Sequence, residues 1–307
     1  MNKKLIYSLL LAITAIFLDA CTETGAVTSK TSSPSTAGAF LFPIANVANY
    51  WYQGKAELST YNVEQERYGE MRKAEQVNIF VTEDFSKSKQ VKLDDAAAAG
   101  ADACPVLKLN AVRKFKTGVY DYSLMLSVFS PMDGTAALKT TTTVQDWCGH
   151  VFAQNNLKSK GVWDSYLYSY FESEGDQKKV LSADYLEDEI WTQLRINPTN
   201  IKTGKVRIIP SSVYLRLKHK PLQPEDAVIE LQKKNNMMSL VLTYTSIERN
   251  LTITFENTAP WRIQNWEETT AGKLTSKGTI KACRMEPYWE QNSNRYASMR
   301  DSLKLEY

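Results

Sequence analysis

The feature that most restricts this chain is apolar alternation with a period of two, sustained over long runs. Tyr120, Tyr122, Leu124, Leu126 and Val128 alternate with Asp121, Ser123 and Ser127. The turn sequence Pro131-Met132-Asp133-Gly134-Thr135 follows, and Leu138, Thr140, Thr142 and Val144 then fall on one face. Successive strand side chains point to opposite faces, whereas a helix would scatter these residues around its axis. The pattern predicts a hairpin. A second hairpin is expected from Met238, Leu240, Leu242 and Tyr244, a turn near Arg249-Asn250, and Leu251, Ile253 and Phe255. Lys234-Asn235-Asn236 offers a turn just before it. Val77, Ile79 and Val81 mark another strand, as do Leu107, Leu109, Ala111 and Phe115, and Val206 and Ile208 after Thr203-Gly204.

One segment breaks the period. Asp184 is placed as an N-cap with Glu187 three residues on; Leu186, Ile190 and Leu194 recur every four residues beside Trp191, and Pro198 closes the run. This spacing predicts one amphipathic helix at about 185–195, lying across a face or mouth of the sheet. The segments 205–217 and 237–247 read as strands too long for a compact sandwich. The fold class is therefore mainly β, a large antiparallel curled sheet or half-barrel, in a single domain over 41–307. In architecture alone, this is similar to the LolA/LolB-type lipoprotein carriers, whose helices plug the concave side of such a sheet.

The first forty residues address location. Lys3 and Lys4 precede an apolar run from Leu5 to Leu18, interrupted by Tyr7, Ser8 and Thr14. That length suits a cleavable export signal better than a spanning helix. Leu18-Asp19-Ala20-Cys21 resembles the bacterial lipobox, with Asp19 where a small or apolar residue is usual. The resemblance implies loss of residues 1–20 and acylation of Cys21. Residues 21–40, rich in Thr, Ser, Ala and Gly, read as a flexible tether with a reach of ~25 Å. By resemblance to enterobacterial sorting rules, Thr22 favours the outer membrane, facing the periplasm.

Charge excludes a bulk electrostatic partner. The chain carries a net +3, which falls to +2 when Lys3, Lys4 and Asp19 leave with residues 1–20, so nucleic acid is not expected. Cys104, Cys148 and Cys283 remain after Cys21, and their spacing gives no disulfide framework. No phosphate loop, nucleophile elbow or dinucleotide fingerprint is present, and no cofactor is expected.

Three clusters carry possible chemistry. Trp147-Cys148-Gly149-His150 sets a thiol and an imidazole two residues apart, a candidate nucleophile and base, with His219 as a possible third metal ligand. Neither CxxC nor HxxxH spacing accompanies it, and a structural cysteine beside a satisfied histidine is the plainer reading. Glu172, Glu174 and Asp176 read as a solvated turn, without the spacing of a calcium loop. Glu187, Asp188 and Glu189 fall in the first helical turn, where negative charge is favoured in any case. Tyr166, Tyr168 and Tyr170, preceded by Trp163, form a ladder of phenols that can stack on glycan or lipid, or simply pack across strands.

YNVEQERYGE (61–70), VNIFVTEDF (77–85), VLKLN (106–110), QDWCGHVF (145–152) and WTQLRINP (191–198) resemble a group of Bacteroidetes lipoproteins often labelled "septum formation inhibitor Maf". True Maf proteins resemble one another in a Ser-x-Ser-Pro-Arg-Arg loop; the nearest run here, Ser32-Ser33-Pro34-Ser35, has neither arginine. The resemblance implies an envelope location and brings no activity. Three functions are therefore expected, in order. The first is non-catalytic binding of an apolar or amphipathic ligand or a lipidated partner. The second is a scaffolding subunit on an outer-membrane complex, and the third a hydrolase using Cys148 and His150.

Overall fold

The alternation resolves into fifteen strands in one sheet. The computed structural model describes residues 47–307; residues 1–20, Cys21 and the 21–40 tether lie outside the described residues. A short helix α1 (Val47–Trp51) leads into β1 (Ala56–Arg67) and β2 (Glu70–Ser86). After α2 (Ala96–Ala99) come β3 (Ala103–Thr117), β4 (Tyr120–Pro131), β5 (Lys139–Gln145), β6 (His150–Ser159), β7 (Val162–Tyr168) and β8 (Gln177–Ser182). Next are β9 (Tyr185–Leu186), α3 (Glu187–Ile196), β10 (Gly204–Ile209) and α4 (Ser212–Lys218). The chain ends with β11 (Glu225–Lys234), β12 (Met237–Tyr244), β13 (Arg249–Glu256), β14 (Ile263–Thr270), β15 (Lys273–Glu286) and a segment holding α5 (Met299–Ser302).

The strand order is β8-β7-β6-β5-β4-β3-β2-β1-β15-β14-β13-β12-β11-β10-β9, so the first and last strands meet in mid-sheet. Every neighbour pair is antiparallel except β9 with β10. The two edge strands, β8 and β9, are consecutive in the chain. Ala183 N–H donates to the Gly161 carbonyl at 3.0 Å, and Asp184 N–H donates to the Arg207 carbonyl at 2.6 Å. Two residues thus carry the chain from one edge to the other, and the sheet curls almost into a barrel. Both expected hairpins are present, with Leu126 opposite Thr142 and Leu240 opposite Ile253.

The helix differs from expectation in position and start. The helix expected at about 185–195 is α3, and because every residue of it except Trp191 is buried it does not lie across a mouth: the sheet wraps it. The Thr192 and Ser130 hydroxyls meet at 2.6 Å, and Trp51 Nε1 donates to the Arg195 carbonyl at 3.4 Å. The cap is Leu186, whose N–H donates to Glu189 Oε1 at 3.0 Å. Asp184 instead accepts the Arg207 N–H at 2.9 Å and pins β10. The expected strand 205–217 stops at Ile209, because Pro210 has no N–H to give a ladder and α4 begins at Ser212. Leu215 and Leu217, read as strand residues, instead pack inward from this second helix.

Candidate functional site

Glu187, Asp188 and Glu189 open α3 inside the curl rather than on a solvated face. Glu187 takes two hydrogen bonds from Arg249, at 2.5 and 2.7 Å, and one from the Tyr244 hydroxyl at 2.6 Å. Asp188 accepts only at Oδ2, from Ser212 N–H at 3.1 Å, while its buried Oδ1 has no partner. Burial pushes the Asp188 carboxyl up to about 6, with the neighbouring Glu187 charge adding to it and the Ser212 N–H opposing. Burial likewise pushes Glu189 up to about 7, although the Ala137 and Leu186 N–H groups oppose this at 2.5 and 3.0 Å. At the other end of α3, Arg195 donates to both oxygens of Glu57 at 2.6 Å. Burial alone would raise the Glu57 carboxyl; Arg195, with help from Tyr50 and Ser59, holds it down to about 2.

A further apolar site lies outside the curl. Period-two packing sends Phe80 and Leu109 inward, so Val77, Ile79 and Val112 on β2 and β3 face out beside Leu58 of β1. The C-terminal segment folds back over them. Thr60 Oγ1 donates to the Leu303 carbonyl at 2.8 Å, Arg284 Nε to the Ser302 carbonyl at 3.2 Å, and Glu306 N–H to Glu75 Oε2 at 2.9 Å. A groove of about 370 Å³ remains, floored by Leu58, Val77, Ile79 and Val112 and roofed by Tyr288, Tyr296, Leu303 and Tyr307. Tyr288 also borders a neighbouring hollow of about 590 Å³ over β2–β5. Glu75 in the groove wall is neutralised by Lys281 at 2.6 Å. Lys114 and Arg300, also in the wall, form no ion pair among the described residues. An apolar floor with two free cations is suited to holding an amphiphile without covalent chemistry.

The residues singled out from sequence are not brought together: Cys104 and Trp163 lie at one end of the barrel, and Cys148, His150, His219 and Tyr170 at the end that carries the β5–β6 turn. Cys148 lies exposed in the β5–β6 turn, where its N–H donates to Asp146 Oδ1 at 2.7 Å, and His150 begins β6, also exposed. No hydrogen bond joins the Cys148 thiol to the His150 ring. His219 caps α4 and pairs with Glu174 at 2.6 Å rather than with either. Among the described residues, no group of three or more His, Cys, Asp or Glu could hold a metal ion. Cys104, Cys148 and Cys283 are free thiols. Trp163 is fully buried and faces inward, opposite in sense to its strand neighbours Tyr166 and Tyr168. Tyr166 lies under Lys178 at 5.4 Å, and Tyr168 faces Phe152 across the β6–β7 pair at 6.3 Å. Tyr170 lies beyond the strand, its ring filling the space above Gly149, where a Cβ would come within 2.5 Å of it. The ladder is thus two phenols in cross-strand packing and a third in the following turn.

That end of the barrel also gathers exposed rings on the hairpin tips. Tyr68 (β1–β2), Val119 (β3–β4), Trp147 (β5–β6) and Tyr170 (β7–β8) are all more than half exposed. The Tyr120 hydroxyl donates to that of Tyr68 at 3.1 Å, and the Tyr120 and Trp147 rings lie 6.4 Å apart.

No protein-family model matches the chain, and no curated protein matches it. Among solved structures, it is similar to the crystal structure of a β-barrel-like protein of domain of unknown function DUF1849 from Brucella abortus. The identity is 8%, the TM-score is 0.48, and the match covers 75% of this chain and 98% of that one.

Proposed function

We propose that this chain is a lipid-anchored protein of the cell envelope that binds a long-chain amphiphile with an anionic head, without catalysis. The observation that carries the reading is the groove under the C-terminal segment. Its volume of about 370 Å³ falls within the ~300–1,000 Å³ of small-molecule sites. Its floor is aliphatic, and its unpaired cations, Lys114 and Arg300, are placed to receive the head. The interior of the curl is largely filled by α3 and the main core and leaves a cavity of only about 60 Å³, too small for a long chain, so the ligand lies on the outer face instead.

All fifteen strands and the core lie within 47–307, so residues 22–307 keep the whole framework without the acylation site. Purified without detergent, that chain is expected to bind a fluorescent fatty acid saturably. Ile79→Arg, which puts a charge on the groove floor, is expected to weaken binding at least tenfold. A wild-type chain that binds none, or a variant that binds as well, removes the groove reading. The anchor is tested apart from the groove: Cys21→Ser in the full chain is expected to move the protein from the membrane fraction to the soluble one.

A docking role has its own supporting observation, the exposed rings Tyr68, Trp147 and Tyr170 clustered on hairpin tips. Exposed apolar patches of this kind mark partner surfaces. Crosslinking from position 147 in intact cells is expected to capture one stoichiometric envelope protein; a diffuse ladder of products counts against it.

A further inference from the structure

A smaller cavity, of about 60 Å³, lies inside the curl between α3, α4 and the inner faces of β1–β4, β13 and β14. Arg113 of β3 lines it, directly opposite Gln76 of β2 in the ladder. Its Nε donates to Gln76 Oε1 at 2.7 Å, and its Nη1 donates to Gln65 Oε1. Both glutamines are locked with their oxygens toward the arginine. Gln65 Nε2 donates to the carbonyls of Glu66 and Thr275 at 3.1 and 3.2 Å, and Gln76 Nε2 donates to Asn78 Oδ1 at 2.7 Å. Neutral carbonyls aim a guanidinium without cancelling its charge. Among the described residues, Arg113 has no ion-pair partner. Glu268, which shares the cavity wall, has its Oε1 taken by Arg249 at 3.0 Å and by the Thr275 hydroxyl at 3.3 Å. Burial pushes the Arg113 guanidinium down to about 10, despite attraction to Glu268.

The rest of the wall is mostly apolar. Leu109, Leu124, Leu126 and Trp191 face the space, and the Trp266 ring lies 5.7 Å from the Arg113 guanidinium. Lys218, paired with Glu66 and about a quarter exposed, also lines it, so the cavity opens toward solvent at the C-terminal end of α4.

We propose that this cavity binds a small aliphatic carboxylate, its carboxylate accepting from Arg113 and its alkyl tail against Leu109, Leu124, Leu126 and Trp191. The space sets the size. A water needs roughly 10–15 Å³ by this measure, so the cavity admits about four to six non-hydrogen atoms, acetate through butyrate. This site is separate from the outer groove and does not depend on it.

Titration calorimetry on residues 22–307 with acetate, propionate, butyrate, hexanoate and inorganic phosphate tests it. Affinity is expected to rise about fourfold per methylene from acetate to butyrate, then to fall at least tenfold at hexanoate, which overfills the space. Arg113→Met is expected to lose at least tenfold for butyrate. Ala111→Leu, which fills the cavity from β3 and leaves Arg113 in place, is expected to do the same, so misfolding of one variant leaves the other informative. Ile79→Arg, in the outer groove, is expected to leave butyrate binding unchanged. No saturable binding of any acid, phosphate bound as tightly as butyrate, or full butyrate affinity in both cavity variants overturns the assignment. Loss of butyrate binding in Ile79→Arg overturns it too, by moving the acid to the groove.

Discussion

The two ends of α3 treat buried charge in opposite ways. At the C-terminal end, Arg195 and Glu57 meet one to one through two bonds of 2.6 Å, both side chains fully buried. Around the N-terminal end, of Glu187, Asp188 and Glu189 only Glu187 is paired with Arg249, while Arg113 nearby is met by glutamines. The helix dipole favours acid at the start and base at the end, so it accounts for both placements and not for the contrast. A matched buried pair closes its region and leaves nothing over. The unmatched end keeps carboxyls that can take up protons and a cation with no anion, properties that gather at binding sites.

The largest expected effect tests the matched end. Arg195→Met leaves the Glu57 carboxylate buried and unpaired, so the variant is expected to lose about 3–5 kcal/mol in urea unfolding of residues 22–307. Arg195→Met with Glu57→Leu is expected to recover most of that loss, because no charge is then stranded. A single variant that loses less than about 1 kcal/mol breaks the comparison, since the pair would then be no more structural than Arg113.

The ends are also expected to pull stability in opposite directions with pH. Unfolded Asp and Glu titrate near ~4, whereas folded Asp188 and Glu189 titrate at about 6 and about 7. Between those values the folded chain binds more protons than the unfolded one, so stability falls as pH rises from about 4 to 7 and then levels off. Glu57, held at about 2, acts the other way: its contribution is lost as pH drops below its ordinary 4.5 toward 2. The chain is therefore expected to be most stable on the mildly acidic side. Asp188→Asn with Glu189→Gln should flatten the limb above pH 4 and leave the acid limb unchanged. Stability that instead climbs between pH 5 and 7 would mean these carboxyls are ionised in the fold.

The sheet was largely legible because most of its inner face is aliphatic. In β4, β5, β12 and β13 most inward residues are apolar or Thr, so the alternation shows directly. β1 was not, because its inward residues Glu57, Ser59, Gln65 and Arg67 are polar and its outward Leu58 is apolar, which inverts the usual signal. β15 carries Gly278 where the Trp266 ring occupies the Cβ position, and no propensity marks such a site. The acidic triplet was visible as composition, but helix-dipole logic already accounted for it and gave no reason to place it inside. Only the closure of the sheet through Ala183 and Asp184 places it inside. The groove was beyond pattern reading, since it forms when residues 287–307 return across β1–β3, a contact of long sequence separation.

The smallest expected effect is also the sharpest test of the contrast. Arg113→Met removes a partly buried charge that forms no ion pair, which favours the folded chain, and orphans the Gln65 and Gln76 oxygens, a loss of about 1–3 kcal/mol. These terms oppose, so without ligand the variant is expected to lie within about 1 kcal/mol of the native chain in urea unfolding. With butyrate present, the native chain should gain stability in proportion to the logarithm of ligand concentration, and the variant should not. A residue that is nearly neutral to folding, yet required for a ligand to stabilise the fold, is retained for binding. Were Arg113→Met to unfold as readily as Arg195→Met, both arginines would be props of one core, and the two ends of α3 would differ only in geometry.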